Sequence, residues 1–279
     1  MKETFHHFSR IFLLSQGIDV SRYDVSFLNK SLQKRMTETR CESEETYCHL
    51  LEQNNNEGEL FFDSLHNSYT EFYRNPLTFS VIERIILPSL LLKKKTSKNK
   101  EIRIWSAACA AGQEAYSLAM LLEELKNGNV NKITYRIFAT DQCEAQVEEA
   151  RKGTYSAAAL NNLNMKRAKQ WFTKQADSYS VKPELKANID FSEFNLFSEQ
   201  LSAPPASIFG DFDLVVCANL LFYYKPEYQK ILINKVGNSL ANSGYLVVGE
   251  TERDILKKQN YHEVFPQSGI FQKIKNNNI

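Results

Sequence analysis

Three short stretches of the chain combine residue types able to bind a ligand, and each follows an apolar run. The first is Trp105-Ser-Ala-Ala-Cys-Ala-Ala-Gly-Gln-Glu114. Its small residues, ending in Gly112, let backbone approach a ligand at a helix N-terminus, although tight packing explains them equally well. No GxGxxG spacing is present, which disfavours a dinucleotide. Glu114, in the first helical turn, can compensate the helix dipole or hold a cationic ligand group. The second stretch, Ala139-Thr-Asp141, ends in an acid. Asp141 can accept hydrogen bonds from both hydroxyls of a ribose, or it can cap the helix that follows. The third, Cys217-Ala-Asn-Leu-Leu-Phe-Tyr-Tyr224, sets Asn219 before large apolar side chains. That composition is odd for a solvated loop and suits a pocket wall or a buried loop.

Such groups need strands whose carboxyl ends face one side, the place where doubly wound folds bind ligands. Ile102 to Ala107 reads as a strand, Gln113 to Lys126 as an amphipathic helix, and Ile133 to Thr140 as a second strand. Cys143 to Lys152 reads as a second helix, stopped at Gly153. Phe212 to Cys217 is a third strand and Pro226 to Leu240 a long helix. Asn242-Ser-Gly244 then predicts a turn into a fourth strand, Tyr245 to Gly249. This alternation implies an α/β fold with a mostly parallel, doubly wound sheet. Residues 154 to 210 interrupt it and leave room for a small insertion. Residues 1 to about 75 look helical, with Phe27, Leu28, Leu32 and Met36 on one face and Lys30 and Lys34 off it. The polar stretch Gln53 to Glu59 predicts a loop, and Lys93 to Lys100 a solvated connector.

At 279 residues the chain can hold one large domain and a small one. Hydrophobic residues at 43% and charged residues at 24% are ordinary for a globular protein. A net charge of +1 gives no support to a nucleic-acid or membrane-surface partner, so electrostatic recognition must be local. The five cysteines, Cys41, Cys48, Cys109, Cys143 and Cys217, form no CxxC pair and read as reduced thiols of a cytoplasmic protein. The five histidines make no HExxH spacing, so no metal is expected. The opening MKETFHHFSR lacks the apolar core of a signal peptide. Val81 to Leu92, the most apolar stretch, is broken by Glu83, Arg84 and Pro88 and is too short to span a bilayer, so no membrane insertion is expected.

Five stretches in this order resemble the chemotaxis-receptor glutamate O-methyltransferases of the CheR type, from about Ile11 to Gly249. They are Leu65-His-Asn-Ser-Tyr-Thr-Glu-Phe-Tyr-Arg-Asn-Pro76, Ile104 to Ser117, Phe138-Ala-Thr-Asp141, Asp211 to Tyr224, and Gly244-Tyr-Leu-Val-Val-Gly-Glu-Thr-Glu252. The resemblance implies a class I S-adenosylmethionine-dependent methyltransferase fold, a Rossmann-like sheet with a small helical N-terminal domain and an inserted β-subdomain. It implies a helical substrate-recognition domain over 1–75 and a cofactor-binding domain over 76–279, with the insertion at 155–190. By position, Thr70 and Arg74 fall beside the cofactor and the substrate carboxylate, Glu114 near the cofactor's methionine part, and Asp141 on its ribose. Asn195 and Leu196 fall near adenine, Asn219 and Leu220 match the family's Asn-Val pair, and Tyr223 its following tyrosine. Arg74 and Tyr223 are the implied catalytic residues.

The implied activity is methyl transfer from S-adenosylmethionine, leaving S-adenosylhomocysteine, to a glutamate carboxylate. The implied partner is a protein with Glu/Gln-rich helices, such as the cytoplasmic part of a membrane receptor, in signal transduction. Lys30, Lys34, Arg35 and Arg40 are candidates for reading those helices, against the alternative of a solvated helix face. Departures from the family pattern are specific. Its Gly-Cys-Ser-Thr-Gly-Glu-Glu-Pro is here Ala-Cys-Ala-Ala-Gly-Gln-Glu-Ala, its Cys-Arg-Asn has Ala218, and its asparagine before Thr70 is Ser68. The insertion lacks the expected glycines and reads as shortened. These changes keep open a non-catalytic S-adenosylmethionine-binding scaffold or sensor. A methyltransferase for small molecules or nucleic acid is disfavoured by the near-neutral charge and by Asn-Leu-Leu-Phe in place of an Asn-Pro-Pro-Tyr-type motif.

Overall fold

Capping chemistry and aromatic side chains explain the N-terminal helices of the protein, for which a computed structural model describes residues 2–65, 69–128, 134–208 and 210–274. These helices are α1 (Lys2–Gln16), α2 (Val25–Thr39), α3 (Glu44–Gln53) and α4 (Asn55–Leu65). The Asp24 carboxylate accepts the N–H groups of Ser26 and Phe27 to start α2, and a Ser43–Thr46 capping box starts α3. Phe8, Phe12, Tyr47 and Phe61 form the core, with Phe61 edge-on to Phe8 at a centroid distance of 5.1 Å. The chain divides by contacts into two compact units, Met1–Asn67 with Phe222–Lys230, and Ser68–Leu221 with Ile231–Ile279. Within the first, Tyr224 stacks on Tyr23 at 5.0 Å, and Tyr223 packs on Phe27 at 4.6 Å while its carbonyl accepts the Asp24 N–H at 2.8 Å.

The predicted loop at Gln53–Glu59 is helical instead, with Asn54 alone separating α3 from α4. Glu57 is the reason. It is 4% exposed and receives two hydrogen bonds from the Arg35 guanidinium, at 3.0 and 2.6 Å, plus one from the Tyr47 hydroxyl at 2.6 Å. Arg35 therefore points inward and is removed from the set of basic residues that could read a partner, whereas Lys30, Lys34 and Arg40 are exposed.

In the second unit, α5 (Pro76–Val81) runs through a π turn, Ile82–Ile86, into α6 (Leu87–Thr96). There follow β1 (Glu101–Ser106), α7 (Gln113–Gly128), β2 (Thr134–Asp141), α8 (Glu144–Lys152) and β3 (Thr154–Ser156). The insertion continues with α9 (Met165–Trp171), β4 (Phe172–Gln175), β5 (Ser178–Val181) and α10 (Pro183–Lys186). The chain then returns through β6 (Ile189–Glu193) and β7 (Phe212–Val216). Last come α11 (Pro226–Asn238), β8 (Leu240–Val247), α12 (Arg253–Lys257), β9 (Tyr261–Glu263) and β10 (Ile270–Lys273). The main sheet is ordered β6-β2-β1-β7-β8-β10-β9, with antiparallel pairing confined to β8-β10 and β10-β9. Alternate residues of its central strands, Ile102, Ile104, Ile137, Ala139, Leu214 and Val216, join one core with side chains of α5, α6 and α7. The insertion folds as a second sheet, β3-β5-β4, whose tight turn uses Ala176 in a left-handed conformation (φ 49°) where a glycine was expected.

Two further expectations are corrected. Lys94 is no part of a solvated connector: it closes α6, is buried, and pairs with buried Asp213 at 2.8 Å. The fourth parallel strand does not begin at Tyr245, because β8 runs through Asn242-Ser-Gly244 from Leu240, with a register shift opposite Phe212–Leu214 and Ser243 at φ 63°. His66, Asn67, Ser68 and Ile133 lie outside the described residues. Among the described residues, no helix is long and apolar enough to cross a membrane.

Candidate functional site

The loop after β1 is tied to its neighbours by backbone. Ala107 donates to the Val216 carbonyl at 2.8 Å and Cys109 to the Thr140 carbonyl at 2.9 Å, joining the ends of β1, β7 and β2. Ala110 takes a positive φ of 44°, and its N–H donates to Asp141 Oδ2 at 2.9 Å. Gly112 is demanded twice: its φ is 91°, and a Cβ there would lie 2.9 Å from the Ala150 Cβ. Close packing against α8 thus accounts for this glycine. Burial pushes the Cys109 and Cys217 thiols well above their ordinary pKa, which keeps them protonated.

Asp141 terminates β2 without capping α8, whose N-cap is Cys143. Its Oδ1 accepts the Cys143 N–H at 3.0 Å while Oδ2 holds Ala110. One carboxylate thereby fixes both strand-end loops. Glu114, at the start of α7, accepts the hydroxyl of buried Ser106 at 2.6 Å. Burial pushes its pKa up to about 7, opposed by the Ser106 hydrogen bond and the Arg74 charge and reinforced by Glu252. An acid this desolvated is chemically suited to a cationic ligand group.

Arg74 sits in a strained turn between Tyr73 (φ 52°) and Asn75 (φ 61°), both left-handed without being glycine. Neighbouring contacts hold that turn. The Tyr73 N–H donates to Ser117 Oγ on α7 at 3.0 Å, and Phe72 packs edge-on against Tyr155 and Phe172 at 5.0 and 5.5 Å. Half-buried Arg74 donates to the Tyr69 carbonyl at 2.8 Å. Thr70 precedes the turn and is half-buried.

Beyond β6, Phe194 donates its N–H to the Asp141 carbonyl at 2.9 Å, which brings the following residues beside the β2 end. Leu196 is buried there, and exposed Asn195 closes a turn by accepting the Phe197 N–H at 2.8 Å. Beyond β7, Asn219 and Leu220 are half-buried, with Asn219 at φ 60°. The sequence-derived set therefore assembles at the carboxyl ends of β1, β2, β6 and β7, with Arg74 and Thr70 joined to it through the contacts of their turn with α7. Tyr223 is the exception, since it belongs by its contacts to the helical unit. Sequence reasoning missed Glu252, a fully buried acid bonded to the Asn219 and Leu221 backbone. Its signal was the Gly249-Glu-Thr-Glu252 match, which had no role attached.

Comparison with known proteins adds independent findings. The family model described as CheR methyltransferase, SAM binding domain, matches residues 68–270, and that of the CheR methyltransferase all-alpha domain matches residues 3–66. A chemotaxis protein methyltransferase of Borreliella burgdorferi is 34% identical over 209 residues, 74% of this chain and 72% of that protein. Chemotaxis protein methyltransferase 1 of Pseudomonas aeruginosa is 29% identical over 221 residues, covering 78% and 77%. A chemotaxis protein methyltransferase of Listeria innocua is 26% identical over 261 residues, covering 94% of each.

Proposed function

The chain belongs to the CheR methyltransferase family, with S-adenosylmethionine as its cofactor, and on that premise we propose that it methylates glutamate side-chain carboxylates of a chemotaxis-receptor-like protein. The residues at the strand ends fit that cofactor. Desolvated Glu114 suits its cationic methionine end, and Asp141, an acceptor-only carboxylate at the end of β2, suits the ribose diol. By the sequence match, Asn195 and Leu196 fall at the adenine end, Asn219 and Leu220 on the family's Asn-Val pair, and Thr70 beside Arg74. When bound, S-adenosylmethionine supplies a methyl group made electrophilic by its sulfonium.

The observation that carries the glutamate assignment is Arg74. Its guanidinium is carried by a turn anchored to α7 at Tyr73 and lies close enough to Glu114 to lower the pKa of that acid. A glutamate nucleophile is ionised at neutral pH, given an ordinary pKa of about 4.3, so no general base is required. Arg74 orients one carboxylate oxygen by charge-assisted hydrogen bonds, and the desolvated walls remove water from it. Alignment of this kind can supply as much as ~7–11 kcal/mol. Tyr223 enters by the sequence match alone, as the second implied catalytic residue.

The partner is a protein with Glu/Gln-rich helices, the cytoplasmic part of a receptor, read by the helical domain through exposed Lys30, Lys34 and Arg40. A second reading, a scaffold that binds the cofactor without turnover, draws on Ala110 and Ala111, which remove two hydroxyls from the first loop. Incubation with methyl-labelled S-adenosylmethionine and a receptor cytoplasmic fragment separates the two. Base-labile methyl ester, lost with Arg74→Ala while S-adenosylhomocysteine still binds, supports the proposal. Cofactor binding without ester formation refutes the enzyme reading in favour of the scaffold.

A further inference from the structure

Glu252 lies outside every strand, on the short turn Glu250–Glu252 after β8, yet it is fully buried. Burying a carboxylate is unfavourable unless hydrogen-bond donors converge on it. Here they do. Oε2 accepts the N–H of Asn219 at 2.8 Å and that of Gly249 at 2.7 Å, and Oε1 accepts the N–H of Leu221 at 2.6 Å. Two of these amides follow β7 and one follows β8, so one side chain joins the ends of adjacent parallel strands. Gly249 lets them meet: a Cβ there would stand 2.6 Å from Asn219 Nδ2 and 2.9 Å from Glu252 Oε2. Asn219 itself is left-handed at φ 60°, a conformation that asparagine adopts more readily than other side chains.

We propose that Glu252 is a positioning residue, which sets the wall formed by Asn219 and Leu220 by gripping the backbone on both sides of Leu220. The inference rests on the reading that this wall faces S-adenosylmethionine. A carboxylate is suited to the task because it is acceptor-only and all three of these partners donate. Glutamine would keep the size but turn an NH2 toward an N–H, breaking the grip on one side.

The test uses the full chain as wild type, Glu252→Gln, and Thr78→Val, a comparator that removes the buried hydrogen bond from Thr78 to the Ser268 carbonyl. Amide hydrogen exchange and calorimetric titration with S-adenosylhomocysteine are measured on each. In the wild type the Asn219, Leu221 and Gly249 amides exchange as slowly as those of β7. Glu252→Gln speeds exchange on the side its NH2 faces, at Leu221 or at Asn219 and Gly249, while sparing Ala110, and weakens binding by about tenfold or more. Thr78→Val lowers the melting temperature but leaves affinity within about twofold, as for any change that does not touch the wall. Fast wild-type exchange at any of the three amides overturns the proposal, and needs no variant that folds. An affinity loss in Glu252→Gln no larger than in Thr78→Val overturns it as well. Wild-type protein that protects the three amides but binds no S-adenosylhomocysteine refutes the cofactor reading and retains the grip.

Discussion

Lowering the pH should weaken cofactor binding through Glu114, and the size of the effect follows from its surroundings. Without ligand, burial pushes this carboxyl up to about 7, so it is half-protonated at neutral pH. A cationic ligand group selects the carboxylate, and protons compete with the ligand below the shifted pKa. Affinity for S-adenosylmethionine should therefore fall about tenfold from pH 8 to pH 6, because one proton is displaced per ligand bound. Calorimetry in two buffers of different ionisation enthalpy measures both the affinity and the proton released. The sulfonium charge has no proton to lose, and Glu114→Gln serves as the control that should bind weakly with a flat profile. Affinity constant from pH 6 to 8, with no proton release, would refute the assignment of Glu114 to a cation. The same shift has a consequence for stability. The folded state binds this proton more tightly than the unfolded chain, so its contribution is fully present below the ordinary 4.5 and is lost as pH rises through about 7. Thermal unfolding of the ligand-free protein should register that loss, at most about 3 kcal/mol, and Glu114→Gln should remove it.

Asp141→Ala removes the acceptor for Ala110 and Cys143 and should lower S-adenosylhomocysteine affinity at least about tenfold by calorimetry; a change under threefold contradicts the site. Gly112→Ala forces an alanine to φ 91° with its Cβ 2.9 Å from that of Ala150, and should destabilise by about 1–3 kcal/mol in denaturant titration. An unchanged midpoint would show that the loop relaxes freely. Lys94→Ala leaves Asp213, 2% exposed, without its 2.8 Å counter-charge, and should lose about 3–5 kcal/mol of stability. Adding Asp213→Ala should recover part of that loss in a double-mutant cycle, and strict additivity would argue against coupling.

The amino-acid sequence by itself determined what depends on neighbours along the chain. Ile102 to Ser106 and Phe212 to Val216 are apolar runs too short for helices, Gly153 stops α8 in a left-handed conformation (φ 58°), and an acid closes β2. Once those runs stack as parallel strands, Glu114, Asp141 and Asn219 fall at one end of the sheet, so most of the candidate site was legible as strand-end residues. Tertiary structure decided the roles of polar residues whose partners are distant in sequence. Arg35 and Lys34 are adjacent and look alike, yet Arg35 is turned onto Glu57 and Lys34 stays exposed. Lys94 is one of three consecutive lysines, and only the approach of Asp213 from β7 separates it from Lys93 and Lys95. Asp141 also holds the Ala110 N–H, a contact made only when the loop after β1 folds against the end of β2. Glu252 is unremarkable beside Glu250 until three amides from two strand ends converge on it. Hydrophobic periodicity is a property of local sequence, whereas the state and purpose of a charge depend on the groups that folding brings to it.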